Sequence, residues 1–312
     1  MQQIAIITTA FGFGLQDRSE YYKDLFERNG FDSVYCTRDD LIEGNVDPDG
    51  VIVGVEKADR VFFEACKKIK VAMKFGVGLD NFDLEFARNN NIKILNMPGI
   101  NSEPVAEMAI ALMLNVSRRI TEANYSCKSG SKAQFIAHTL VGKTLGIIGT
   151  GSVGQKVAEL SKGFRFRYLG YDLFQNEKAK SLGIEYVSFE RLIRESDLIT
   201  IHIPLTDQSY HIIGEKEFRQ MKKDAILINT SRGGIVDENA LLAALEHNQI
   251  GGAGLDVFEW KQSPAQISSL PNLICTPHIS AYTHETLRKM EETAINKMAE
   301  VLHADSSSKD QA

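Results

Sequence analysis

The sequence predicts an α/β protein built from two doubly wound parallel-sheet domains. Three observations carry this. Short apolar runs alternate with helical stretches through most of the chain, the rhythm of a parallel sheet with crossover helices. A glycine-rich turn, Gly149-Thr-Gly-Ser-Val-Gly154, sits between the apolar run Leu145–Ile148 and a stretch with a helical stripe at Val157, Ala158 and Leu160. The length, 312 residues, suits two domains that each enclose a core.

The glycine turn is the strongest local signal. Gly149, Gly151 and Gly154 follow a strand and open a helix in the order G-x-G-x-x-G. That context is what a dinucleotide-binding Rossmann turn requires: one glycine for the turn, one for close approach of a pyrophosphate, one for helix–strand packing. The free N–H groups at the helix start then face the anion. A second strand, Arg167–Tyr171, ends at Asp172, 172 − 154 = 18 residues past the last glycine. A carboxylate there would meet the ribose hydroxyls and would repel a 2′-phosphate, which favours NAD over NADP.

In chain order, Ile4–Thr8, Asp32–Cys36, Gly50–Val53, Val71–Phe75 and Ile92–Leu95 read as strands, with helices at Arg18–Arg28 and Ala58–Lys67. Asn29-Gly30 stops the first helix. Val105–Arg119 reads as a long buried helix capped by Asn101 or Ser102, and Gly130–His138 as a polar connector. Beyond Asp172, strands are expected at Leu198–Ile203, Ala225–Asn229, Gly254–Val257 and Leu273–Cys275. Helices are expected at Phe189–Glu195, Glu215–Met221, Glu238–Glu246 and Thr283–Leu302. Ala304–Ala312 reads as a frayed polar tail. The domains are therefore expected at 1–101 with 283–312 (substrate domain) and at 102–282 (nucleotide domain).

Composition excludes several classes. A net charge of −6 gives no electrostatic footprint for nucleic acid. No apolar run approaches the roughly 20 residues of a membrane span, and Met1–Ile6 has no signal-peptide pattern. Cys36, Cys66, Cys127 and Cys275 are scattered and read as buried, reduced thiols of a cytoplasmic protein. No metal site is expected.

Ligands in open α/β sheets sit beyond the carboxyl ends of the strands. Four segments fall there. Lys74-Phe-Gly-Val-Gly-Leu-Asp80 could present backbone N–H groups to a carboxylate. Asn229-Thr-Ser-Arg-Gly-Gly234 places Arg232 after a buried strand, where its fork fits a carboxylate or a structural salt bridge. Asp256, in Gly254-Leu-Asp-Val-Phe258, could meet cofactor amide groups or cap a loop. His278, in Thr276-Pro-His-Ile-Ser280, is a candidate general base.

Together these segments resemble the D-isomer-specific 2-hydroxyacid dehydrogenases, in particular members of the phosphoglycerate-dehydrogenase type. The motifs are GVGLDN at 76–81, NSEPVAE at 101–107, GTGSVG at 149–154, INTSRGGIVDENAL at 228–241, GLDVFE at 254–259 and TPHIS at 276–280. The resemblance implies a Rossmann domain inserted into a flavodoxin-like substrate domain. It implies hydride transfer between NAD and C2 of a small 2-hydroxy or 2-oxo acid. Arg232 would bind the carboxylate and polarise the C2 oxygen, and His278 would be the general acid/base. Val77, Gly78 and Asn101 would contact substrate. Gly149, Gly151, Ser152, Val153, Gly154, Asp172, Ile203, Thr230, Ser231 and Asp256 would hold the cofactor. A homodimer joined through the nucleotide domains is also implied.

Two departures stand out. The family's glutamate, five residues after the aspartate of LDVF, is here Lys261 (256 + 5), followed by Gln262. Glu259 could fill its role if the alignment shifts. A lysine facing His278 would lower the histidine pKa. Weakened catalysis would make the chain an NAD(H)-binding regulatory protein on the same fold, the alternative reading. The second departure is Val53-Gly-Val-Glu-Lys57, which stands where phosphoglycerate-specific relatives often have Arg-Ser; Glu56 there would repel a phosphate.

Overall fold

The computed structural model describes residues 2–7, 19–259 and 264–309. The chain divides into two compact units, Met1–Asn101 with Tyr282–Ala312, and Ser102–Ala281.

In the first unit the strands are β1 (Gln2–Ile6), β2 (Phe31–Tyr35), β3 (Gly50–Val53), β4 (Val71–Lys74) and β5 (Lys93–Leu95). They form one parallel sheet in the order β2-β1-β3-β4-β5. This is the flavodoxin-like order, with its switch point between β1 and β3. Side chains alternate between two buried faces, as a sheet covered on both sides requires. Ile4, Ile6, Ile52, Val71 and Met73 enter one core. Ala5, Ile7, Val51, Val53 and Ala72 enter the other. The first core is closed by Tyr22 and Phe26 of α1 (Ser19–Arg28) and by Met290, Ile295 and Met298. The second is closed by Leu41 of α2 (Arg38–Ile42), Phe62 and Phe63 of α3 (Arg60–Ala65) and Ala87 of α4 (Leu84–Asn89).

The second unit opens with α5 (Ser102–Arg118) and α6 (Ile120–Lys128). Its strands are β6 (Thr144–Ile148), β7 (Arg167–Tyr171), β8 (Ile184–Tyr186), β9 (Leu198–Ile201), β10 (Ile226–Asn229), β11 (Gly252–Leu255) and β12 (Leu273–Cys275). All are parallel, in the order β12-β11-β10-β9-β6-β7-β8. The order reverses between β6 and β9, the switch point of a Rossmann sheet. The crossovers carry α7 (Ser152–Leu160), α8 (Glu177–Ser181), α9 (Phe189–Glu195), α10 (Glu215–Gln220), α11 (Glu238–Glu246) and α12 (Pro264–Ser268). Helix α13 (His284–Lys309) belongs to the first unit and supplies Met290, Ile295 and Met298 to its core.

Glycine sets how closely helices approach this sheet. A Cβ on Gly146 would lie 2.3 Å from Ser196 Oγ and 2.7 Å from Leu192 Cδ2 on the α9 side. A Cβ on Gly252 would meet Val116 Cγ1 of α5 at 2.6 Å. This explains one correction. The strand expected at Gly254–Val257 is Gly252–Leu255, because Gly252, which serves helix packing, has no apolar side chain to mark it as strand. Asp256 therefore stands just past the strand end.

Other differences are local. Helix α13 continues through Lys309 where a frayed tail from Ala304 is expected. Of the four cysteines expected to be buried, Cys66 is buried and Cys36 and Cys275 are half-buried, but Cys127 is exposed, because it lies on α6, which has no buried residue. The short elements α2, α4, α6, α8, β8 and α12 carry too little apolar pattern to be seen in sequence. Thr8, Arg18, Lys261 and Gln262 lie outside the described residues.

Candidate functional site

The glycine turn between β6 and α7 is shaped by three different constraints. Gly149 adopts φ +93°, and a Cβ there would lie 2.6 Å from the His202 carbonyl oxygen and 2.9 Å from Ile203 Cγ2. Gly154 packs α7 onto the turn, with its Cβ position 2.1 Å from Gly149 O. Around Gly151 nothing lies within 4 Å of a Cβ. The protein itself therefore gives no reason for glycine at 151, whereas a diphosphate approaching the backbone does. Helix α7 has no side-chain cap and no acidic residue in its first turn. Its leading N–H groups and the positive end of its dipole suit an anion.

Asp172, at the end of β7, is tied to the same turn. Its Oδ2 accepts from Thr150 N at 2.7 Å and from Thr150 Oγ1 at 3.1 Å. Its Oδ1 has one long contact, from Phe174 N at 3.4 Å, so it keeps acceptor capacity for a ribose hydroxyl. Thr150 is held further by Tyr186 Oη at 2.6 Å and, through its carbonyl, by Gln155 Nε2 at 2.7 Å. Thr150 lies within the GTGSVG motif, whereas Gln155 and Tyr186, which help shape this turn, are not marked by the sequence motifs.

The loops after β10, β11 and β12 continue the sheet's ladder. Asp256 N donates to Asn229 O at 2.9 Å, and His278 N donates to Asp256 O at 2.8 Å. Gly233 lets the first two loops touch, since its Cβ position is 2.9 Å from the Phe258 backbone. Within the β10 loop, buried Asn229 accepts from Ser231 N and Oγ and donates to Arg232 O. The Arg232 guanidinium donates to Ser231 O at 2.8 Å. Thr230 is buried, and its Oγ1 has no hydrogen-bond partner among the described residues. A buried hydroxyl without a partner is uncommon and fits a polar ligand at this strand end.

Asp256 is 1% exposed. Its Oδ1 accepts from Thr276 Oγ1 and Ile279 N, and its Oδ2 from Ser280 N and Ser280 Oγ. Of the two roles open to it in sequence, the geometry displays the loop cap. His278 rides on that loop, exposed, at φ +56°, a left-handed conformation that non-glycine residues adopt rarely and often at functional sites.

Glu259, just past β11, reaches the loop after β10. Its N–H donates to Glu238 Oε1 at 2.5 Å, and its carboxylate lies beside Gly234. Burial and the neighbouring Glu259 charge push the Glu238 carboxyl above its ordinary range, against the pull of that N–H donor. His202 follows β9 and bonds Thr200 Oγ1 at 2.9 Å. Burial lowers its imidazole to about 3.

In the first unit, the turn after β4 places Gly76 at φ +145°. Asn96 Nδ2 holds Val77 O at 2.8 Å, and Met97 N holds Gly76 O at 3.0 Å. The N–H groups of Val77 and Gly78 have no acceptor among the described residues. Lys74 Nζ and Asn81 Nδ2 both donate to Gly54 O, which fastens the loop after β3. In that loop Glu56 accepts from Gly54 N at 2.9 Å.

Comparison with known proteins bears directly on this arrangement. The model of the D-isomer specific 2-hydroxyacid dehydrogenase NAD-binding domain matches residues 110–280. The chain belongs to the D-isomer-specific 2-hydroxyacid dehydrogenases. It is 42% identical over 255 residues to a glyoxylate reductase of Thermococcus litoralis, covering 78% of this chain and 76% of the relative. A hydroxypyruvate reductase of Thermotoga maritima is 38% identical over 275 residues, 85% and 89% of the two chains. D-lactate dehydrogenase of Aquifex aeolicus, solved with NAD and lactic acid, superposes with a TM-score of 0.84 at 27% identity, covering 98% and 96%. This dehydrogenase is an NAD-dependent enzyme, and the matched NAD-binding domain, residues 110–280, contains the Rossmann turn described above.

Two outcomes follow. Gly151→Ala leaves the thermal unfolding midpoint unchanged, because its Cβ meets nothing within 4 Å, yet weakens NADH binding at least tenfold in a fluorescence titration. A tight NADH complex in that variant contradicts the assignment. For His202, the unfolded chain takes up a proton below the ordinary value near 6.5 that the folded state excludes until about pH 3. Stability therefore falls as pH falls through that window and gains nothing from this group above it. Urea unfolding across pH 4–7 measures a shallower slope in His202→Gln.

Proposed function

We propose that this dehydrogenase reduces a small 2-oxo acid of the glyoxylate and hydroxypyruvate class to the D-2-hydroxy acid, reversibly. The observation that carries the reading is the His278 loop, held in a left-handed conformation by a buried carboxylate at the end of a Rossmann sheet. NAD(H) supplies or accepts the hydride at C2. The Arg232 guanidinium binds the substrate carboxylate through its planar fork and polarises the C2 oxygen. His278 donates a proton to that oxygen in reduction and takes it from the hydroxyl in oxidation. Glu259 is retained as its supporting carboxylate, since position 261 is lysine.

In the first unit Val77, Gly78 and Asn101 are the proposed substrate contacts, and the two N–H groups there without acceptors among the described residues suit a carboxylate. Glu56 favours a substrate whose far end carries no phosphate. Ser152, Val153, Ile203, Thr230 and Ser231, with the three glycines and Asp172, hold the coenzyme, and Asp256 orders the strand end beside it. The same reading makes the enzyme a cytoplasmic homodimer. Four free thiols accord with a reducing compartment. Exposed Ile120, Tyr125 and Ile136, at 52%, 73% and 93%, offer apolar area for a second copy.

The test is NADH oxidation against glyoxylate, hydroxypyruvate, pyruvate and 3-phosphohydroxypyruvate. Turnover is expected on the first two and least on the phosphorylated acid. His278→Ala should lower kcat by about 10²–10⁴-fold and Arg232→Ala should lower kcat/KM by about 10² or more, both with NADH affinity kept. Tight NADH binding without turnover on any acid would replace this reading with the regulatory one, for which Lys261 is the reason.

A further inference from the structure

The Rossmann unit has a second polar recess, at the opposite ends of its strands. One cavity of about 740 Å³ is lined by the end of α5, the connector at Ile136–His138 and the segments leading into β10, β11 and β12. A smaller one of about 140 Å³ lies where Lys143, Asp197 and Asp224 lead into β6, β9 and β10. Ser117, His138, Lys223, Asp224 and Ile226 line both. The coenzyme turn, Asp172, Arg232 and Asp256 all follow carboxyl ends of strands in the same parallel sheet. The recess therefore lies across the sheet from the site described above.

Ser117 marks its floor. The residue is 3% exposed, and its Oγ is one of two buried side-chain polar atoms without a hydrogen-bond partner among the described residues. A helical serine ordinarily bonds a carbonyl in the preceding turn; this one does not. The charges around it lean positive. Lys143, Lys222 and Lys223 line the smaller cavity against Asp197 and Asp224. Burial pushes the Asp197 carboxyl up, but the Thr144 N–H and the Lys222 ammonium outweigh it and hold the group below its ordinary range. Asp197 and Lys222 thus satisfy each other. Neither Lys143 nor Lys223 has a hydrogen bond or close ion pair from its side chain among the described residues, and the His138 ring has none either. Two of the carbonyls at the end of α5, which would oppose an anion, are taken: Arg119 N bonds Val116 O, and His138 N bonds Ser117 O.

We propose that this recess is a binding site for a small oxyanion, held by Ser117 Oγ, Lys143 and Lys223, with His138 at its rim. The volume of the smaller cavity is several times the roughly 30 Å³ share of one water, enough for an inorganic phosphate or a short dicarboxylate. Both present oxygens to the same donors. Because the site bridges α5 to the starts of β6 and β10, a bound anion stabilises the Rossmann unit by mass action.

The experiment is thermal unfolding of the enzyme saturated with NADH, so that the coenzyme's phosphate sites are filled. Inorganic phosphate and, separately, malonate are titrated at constant ionic strength balanced with sodium chloride. A saturable rise in Tm is expected. A rise with phosphate alone identifies a phosphate site, and a rise with both identifies a general oxyanion site. In Ser117→Ala the half-saturating concentration should increase at least tenfold, and in Lys143→Met/Lys223→Met the saturable rise should vanish, with NADH turnover unchanged in both. The proposal is overturned if neither anion gives a saturable rise, if all salts act alike, or if the rise persists undiminished in the lysine variant. Failure of the 2-oxo acid assays would leave this outcome untouched.

Discussion

The Asp256 carboxylate is the interaction on which the reacting end of the Rossmann unit depends. It is buried, and both its oxygens accept from the segment Thr276–Ser280. A buried carboxylate is tolerated when donors replace its lost hydration, and here they all come from one loop. That loop consequently has a single shape, with His278 at its apex in a conformation an unsupported chain would avoid. The ladder from Asn229 through Asp256 to His278 extends the same order to the loop of Arg232. Arg232 and His278, the two side chains proposed to act on substrate, thereby inherit the rigidity of the sheet from different connections.

The coenzyme end follows a different logic. There the turn is set by steric exclusion: Gly149 and Gly154 are needed by the protein's own backbone, and Gly151 is not. Asp172 couples this turn to the neighbouring strand through Thr150. One carboxylate thus fixes the turn with one oxygen and keeps the other for a ligand. His202, half-buried beside the turn, is kept neutral down to about pH 3 by desolvation, so a pH–rate limb near neutrality belongs to another group.

Much of this was legible in the sequence. The apolar runs predicted every strand of both sheets except β8, whose three residues, Ile184–Tyr186, are too few to show a pattern. The glycine order and the Asp172 spacing located the dinucleotide turn, because those positions answer to backbone geometry that sequence records directly. Contacts between distant side chains left no such trace. Nothing in a string marks Thr150 as the partner of Asp172, or Asn229 as the knot of the Arg232 loop, although an asparagine ending an apolar strand is a signal that could be read. Gly252 was missed for a related reason: a glycine that admits a helix carries no apolar side chain to mark it as strand.

The most direct test of the account follows the hydride itself. Hydroxypyruvate is incubated with the enzyme and NADH carrying deuterium at the transferable C4 position, and the product is analysed for isotope position and configuration. The account predicts D-glycerate with deuterium at C2. Hydroxypyruvate left unchanged, a product without deuterium at C2, or the L-isomer would contradict it.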